Sequence, residues 1–274
     1  MPVSLKQRMA GKPSSDHWER GGVYESYVGR WSRKVAPAFL SWIEVPAGRR
    51  WLDVGCGTGA LCGAILDHAR PASVTGVEPS EGFLETARAN LGARASLKQG
   101  SATAIPLEDR SVDAVVSGLV LNFVPDHAAG LAEMRRVATA GATIAAYVWD
   151  YAGKMEFMRY FWDAAVAIDP AAHAKAEGNR FPVCKPEALE ALFRGAGLER
   201  VETQAIDTPT VFTDFDDYWR PFLGGQGPAP AYTMSLEESA RERLRDRLRQ
   251  SLPVASDGSI PLIARAWAAR AIVP

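Results

Sequence analysis

The chain has 274 residues, 47% of them hydrophobic and 23% charged, which suits a globular protein with one large α/β domain or one domain with added segments. Its 31 basic and 32 acidic residues leave a net charge of −1, so the basic excess of a nucleic-acid binder is missing, and no apolar run approaches the ~18 residues of a membrane span. Three cysteines (Cys56, Cys62, Cys184) without framework spacing argue for a reducing, cytoplasmic setting, and four scattered histidines offer no ligand spacing, so no metal is expected.

The opening "MPVSLKQRMAGKPSSDHWERGG" is polar and lacks an apolar leader core. Residues 1–20 are therefore expected to be a mobile tail, with 21–274 a single domain. "RRWLDV" (49–54) is a short apolar strand, and "GALCGAILDHA" (59–69) then shows helical spacing through Leu61, Ile65 and Leu66. "SVTGVE" (73–78) is a second strand. "SEGFLETARANL" (80–91) is a helix with Ser80 placed to cap it. "ASLKQG" (95–100) and "SVDAVVSG" (111–118) are the third and fourth strands, "DHAAGLAEMRRVA" (126–138) a helix, and "ATIAAYVW" (142–149) the fifth strand. This alternation implies a parallel, doubly wound sheet with helices on both faces.

After Asp150 the pattern changes. "GKMEFMRYFWDAAVAI" (153–168) is apolar nearly all round and reads as a buried helix; "PEALEALFRGAG" (186–197) reads as another. "LERVETQAI" (198–206) and "PLIARAWAARAI" (261–272) are the sixth and seventh strands. Between them "SLEESARERLRDRLRQSL" (235–252) is a charged helix with a capping box from Ser235 to Glu238. Segments of about 150–185 and 207–258 are expected to form a helical cap.

The stretch "LDVGCGTG" from Leu52 packs three glycines into five residues between a strand and a helix, the geometry of a nucleotide site. Gly55-x-Gly57-x-x-Ala60 formally fits the dinucleotide fingerprint. Asp53, two positions before the first glycine, disfavours a pyrophosphate and favours an ammonium or sulfonium. Glu78, ending the second strand, is placed to accept both hydroxyls of a ribose, as either kind of adenosine ligand requires. Cys56 and Cys62 read as small packing residues.

"WLDVGCGTGAL", "VTGVEPSEGFLETAR", "GSATAIPLEDRSVDAVVSGLVLNFVPD" and "EMRRVATAGATIAAYVWD" together resemble the ordered motifs of class I S-adenosylmethionine-dependent methyltransferases of the small-molecule type. "YESYVGRWSRKVAPAFLSWI" (24–43) is similar to the N-terminal helix region of many members. The resemblance implies a Rossmann-like seven-stranded sheet with its last strand antiparallel, and S-adenosylmethionine as cofactor. It implies that Gly55, Cys56 and Gly57 line the methionine and ribose, that Asp53 serves the ammonium, that Glu78 holds the ribose, and that Pro79 packs on the adenine. Ser101 and Ala102 fall where members read the adenine edge, with Ser101 replacing a common aspartate. Ser117 to Leu119 would face the methionine. Tyr24, Arg30 and Trp31 would reach the cofactor carboxylate. Asn122 stands where some members carry histidine.

Thirteen of the 25 aromatic residues fall in 147–162 and 212–232, which suggests a wall for an apolar small molecule, with Trp149, Tyr151, Tyr218 and Trp219 in contact, or the private core of the cap. Asp150, Arg159 and Arg220 are the charged candidates for acceptor contact; Arg220 lies in "RPFLGG", read as a loop. The chain lacks the Asn/Asp-Pro-Pro-aromatic motif of nucleic-acid and glutamine amine methylation. The expected function is O- or N-methylation of a small, partly apolar molecule, by a monomer or homodimer with no nucleic-acid or membrane partner. The alternatives are an inactive S-adenosylmethionine-binding sensor or partner subunit and a nicotinamide-dependent oxidoreductase.

Overall fold

A computed structural model describes residues 30–224 and 227–274. The chain runs α1 (Arg30–Ile43), β1 (Arg50–Val54), α2 (Ala60–His68), β2 (Ser73–Glu78), α3 (Glu81–Leu91), β3 (Ser96–Gln99), β4 (Val112–Gly118), α4 (His127–Val137) and β5 (Ala138–Trp149). It continues with α5 (Glu156–Ile168), α6 (Pro186–Gly195), β6 (Glu199–Phe212), α7 (Phe215–Trp219), α8 (Pro228–Ser235), α9 (Glu238–Ser251) and β7 (Ile260–Ile272). The seven strands form one sheet in the order β3-β2-β1-β4-β5-β7-β6. Strands β1 to β5 pair in parallel, and β7 runs antiparallel to both β5 and β6. The order reverses between β1 and β4, the switch point where ligands enter open α/β sheets.

Strand burial explains the layering. β4 is buried at nearly every position, as a central parallel strand covered on both faces must be. One face is packed by Val35, Phe39 and Ile43 of α1, by Leu61, Cys62 and Ile65 of α2 and by the aromatic residues of α5. The other is packed by Leu131 and Met134 of α4 and by Leu189 and Phe193 of α6. Ser80 caps α3 by accepting from Phe83 N, as the sequence indicates, and Asp126 caps α4 by accepting from Ala129 N at 2.9 Å.

Four local readings need correction. The capping box at Ser235 is absent: Ser235 ends α8, its hydroxyl donates back to Tyr232 O at 2.7 Å, and α9 starts three residues later without a side-chain cap. α5 is one-sided rather than apolar all round, because Arg159 pairs with Glu156 and Asp163 on its outer face. β6 runs on to Phe212, since its outer half alternates buried and exposed residues against β7. "RPFL" forms a 3-10 turn at Arg220–Leu223, not an open loop, because buried Phe222 anchors it.

Candidate active site

The glycine loop between β1 and α2 forms the floor of a cavity of about 410 Å³ at the carboxyl ends of β1, β2, β4 and β5. Gly55 has φ +76°, and a Cβ there would lie 2.4 Å from Cγ1 of Val120, so the loop and the segment after β4 close on each other only over a glycine. A Cβ on Gly57, at φ +52°, would meet no protein atom within 4 Å. Gly57 also lines the cavity, so its side-chain position opens into it. The loop is tied to β2: Gly55 N and Cys56 N both donate to Val77 O, at 2.8 and 3.1 Å.

Glu78 holds this arrangement from the end of β2. Its Oε2 accepts from Gly57 N and its Oε1 from Ser80 N, each at 3.0 Å. Burial pushes its pKa up, while the two backbone N–H bonds oppose that shift. Each oxygen keeps lone-pair capacity for a further donor, as two vicinal hydroxyls would supply.

Asp53 is the electrostatic oddity of the site. It is 1% exposed and lines the cavity. Its Oδ2 accepts from the Cys62 thiol at 3.3 Å, while its Oδ1 is buried with no partner. Burial pushes its pKa up to about 7; the Cys62 bond pulls it down, and the Glu78 charge adds to the rise. Among the described residues it makes no salt bridge. A buried acid left half-satisfied beside a cavity suits a cationic occupant.

Of the residues singled out in the sequence, Asp53, Gly55, Cys56, Gly57, Glu78, Pro79, Ser101, Ala102 and Leu119 come together around the cavity. Leu119 does so at φ +62°, a strained conformation for a branched side chain, held by its N–H on Tyr147 O at 2.8 Å. Ser117 does not line the cavity; it is buried and its hydroxyl donates to Val54 O at 2.9 Å, tying β4 to β1. Trp31 is buried edge-on to Phe212 at 5.4 Å, and it is Ser32 beside it that lines the cavity. Arg30 opens α1, and Tyr24 lies outside the described residues.

The acceptor candidates fall elsewhere. Trp149, Tyr151, Tyr218 and Trp219 are not among the lining residues. Tyr218 is fully buried and donates to Phe157 O at 3.0 Å; Trp219 is buried and stacks on Phe215. The rings of α5 and of 212–232 pack on one another, as in Phe161 on Phe222 at 4.4 Å and Phe157 on Phe222 at 4.7 Å. They pack into the hydrophobic core that also holds α1 and α2. Asp150 is buried and accepts from Lys154 N at 2.9 Å, Arg159 is engaged in its surface pairs, and Arg220 is exposed. None of the three lines the cavity.

Sequence reasoning missed Phe83, Phe123, Val124 and Tyr147, which line the cavity together with Val120. Phe123 is 38% exposed, packs edge-on to Phe181 at 5.2 Å, and stands in the short turn after β4. Tyr147 packs on Phe39, and its hydroxyl would lie 2.6 Å from a Cβ on Gly118, its partner in the sheet register. The available signal was the run "LVLNFV", which is more apolar than a solvent-facing connection needs to be.

This fold, with a glycine turn after β1 and acids near the ends of β1 and β2, defines a Rossmann-like class. Residues 52–146 match the family described as "Methyltransferase domain". The demethylmenaquinone methyltransferase of Staphylococcus aureus is 29% identical over 189 residues, covering 64% of this chain and 77% of the relative. A methyltransferase-type protein of Bacillus halodurans C-125 superposes with a TM-score of 0.59 at 16% identity, over 88% of this chain and 99% of its own. Phosphoethanolamine N-methyltransferase 2 of Haemonchus contortus, solved with S-adenosyl-L-methionine, superposes at 0.58 with 15% identity, over 92% of this chain and 57% of its own. By the match over residues 52–146 and by these relatives the chain is similar to S-adenosylmethionine-dependent methyltransferases. Among the described residues no helix is long and apolar enough to cross a membrane, and no cluster of three or more His, Cys, Asp or Glu could hold a metal ion.

Proposed function

We propose that the cavity holds S-adenosylmethionine and that the chain methylates a small, partly apolar molecule. The unpartnered Oδ1 of Asp53 carries the cofactor half of this reading, because a cationic ligand supplies the charge that this buried carboxyl lacks. Glu78 takes the ribose hydroxyls while Gly57 leaves room at the loop. Pro79, Phe83, Ser101 and Ala102 flank the adenine. When bound, the cofactor supplies an electrophilic methyl group on a sulfonium. The chain's own contribution is then to hold the acceptor in line and away from water, which can be worth roughly 7–11 kcal/mol.

The acceptor half rests on Phe123, Val124 and Tyr147, which give the cavity apolar, ring-bearing lining, with no Lys or Arg among its described lining residues. An uncharged planar or acyl-bearing molecule suits such a lining better than a nucleic acid, and the Staphylococcus relative, named for demethylmenaquinone, points the same way. The test is incubation with methyl-labelled S-adenosylmethionine and three acceptor sets: phenols and hydroquinones, amines, and tRNA. Label is expected in a ring-bearing small molecule; efficient labelling of tRNA, or of no acceptor from any set, would refute the reading.

A further inference from the structure

Cys62 is the sole described side chain recorded as donating to Asp53, and it does so from the buried face of α2, behind the cavity wall. The thiol is fully buried, and Asp53 is 1% exposed. The bond engages Oδ2 alone, so the other oxygen, Oδ1, is left without a partner on a residue that lines the cavity. We propose that Cys62 is a positioning residue for cofactor binding: its S–H fixes the Asp53 carboxylate and sustains its negative charge, leaving Oδ1 for the cofactor's cationic end. This rests on the assignment of the cavity to S-adenosylmethionine.

The chemistry supports a donor role. A thiol is a weak donor, yet a bond to a charged acceptor is among the stronger kinds. The neighbouring Cys56 thiol, burial and the Asp53 charge all push the Cys62 pKa well up, so the proton stays on sulfur through the neutral range. The groups facing Asp53 are Cys62 from α2, with Cys56 of the glycine loop beside it, and the Glu78 charge from β2. Glu78 and burial both favour the neutral acid. Cys62 is thus the described side chain that favours the carboxylate, its backbone N–H adding a smaller pull that any substitution keeps, and removing the thiol should neutralise more of Asp53 at a pH where the native site is partly ionised.

The test uses Cys62→Ala and Cys62→Ser in the full chain, with thermal melting to establish that each is folded. The Asp53 carboxyl is titrated in the ligand-free protein by carbon-13 NMR, and S-adenosylhomocysteine binding is measured by calorimetry from pH 6 to 8.5. Cys62→Ala should move the Asp53 midpoint upward by about half a unit or more, and should weaken binding at pH 7 several-fold with a smaller deficit at pH 8.5. Cys62→Ser, which keeps a donor, should restore most of both. If the midpoint is unmoved in Cys62→Ala, or if it moves while binding keeps its native pH profile, the proposal is overturned. A native protein that binds no S-adenosylhomocysteine, yet shows the midpoint shift, would overturn the cofactor assignment and with it Cys62's role in binding, leaving only the effect on Asp53.

Discussion

Asp53 is ionised at a cost that the ligand-free protein bears alone. Its folded pKa of about 7 lies above the ordinary 3.8. Below about pH 4 folded and unfolded chains both hold the proton, and the stabilising effect of the retained proton is fully present. As pH rises toward 7 the unfolded chain releases the proton first, so stability falls across that window and levels off above it, by at most about 4 kcal/mol for a shift of this size. Asp53→Asn should flatten this fall and weaken S-adenosylhomocysteine binding at least tenfold; urea unfolding at pH 5 and pH 8 with calorimetry at pH 8 checks both. Glu78→Ala should weaken the cofactor by about 1–3 kcal/mol, and it should also lower the melting temperature, because two backbone N–H groups lose their acceptor. Both acids were legible in the sequence, since their value depends on strand ends that hydrophobic patterning locates. The Cys62 bond was not, because it joins residues whose contact depends on how α2 lies against β1.

At the scale of elements, the glycine loop and the segment after β4 form one unit that closes through Gly55 against Val120. Gly57→Val should abolish cofactor binding by filling the open position beside the loop, with a modest loss of stability from a β-branched residue at φ +52°; calorimetry and circular dichroism read the two effects separately. The aromatic segments 147–162 and 212–232 behave differently from what their count suggests. Trp219→Ala should destabilise the fold by about 3–5 kcal/mol, as loss of a buried indole does, whereas Arg220→Ala should be near neutral in thermal melting because Arg220 is exposed. Phe123→Ala should lower acceptor turnover and leave cofactor affinity within about 0.5 kcal/mol, since it removes a partly exposed lining ring from the turn after β4 and not from the glycine loop or the end of β2. Composition could show that aromatic residues cluster at 147–162 and 212–232, but not whether Phe161 and Phe222 face a ligand or each other; pairing across 61 positions decides that.

Across the whole molecule, the alternation of strands and helices up to Trp149 was readable because each crossover repeats one pattern, whereas the extent of β6 and the break between α8 and α9 follow from tertiary pairing with β7 and from Ser235 turning back on its own helix. The sheet brings the ends of β1, β2, β4 and β5 to one crevice, and the methyltransferase-domain match over residues 52–146 includes much of its lining. The central claim is that this crevice binds the sulfonium cofactor through Asp53, Glu78 and the open position at Gly57. Isothermal titration of the native chain and of Gly57→Val with S-adenosylmethionine, S-adenosylhomocysteine and NAD tests it most directly. The account predicts saturable binding of both adenosyl ligands by the native chain, none by Gly57→Val, and no binding of NAD by either; tight NAD binding with none of the sulfonium, or undiminished binding by Gly57→Val, would contradict it.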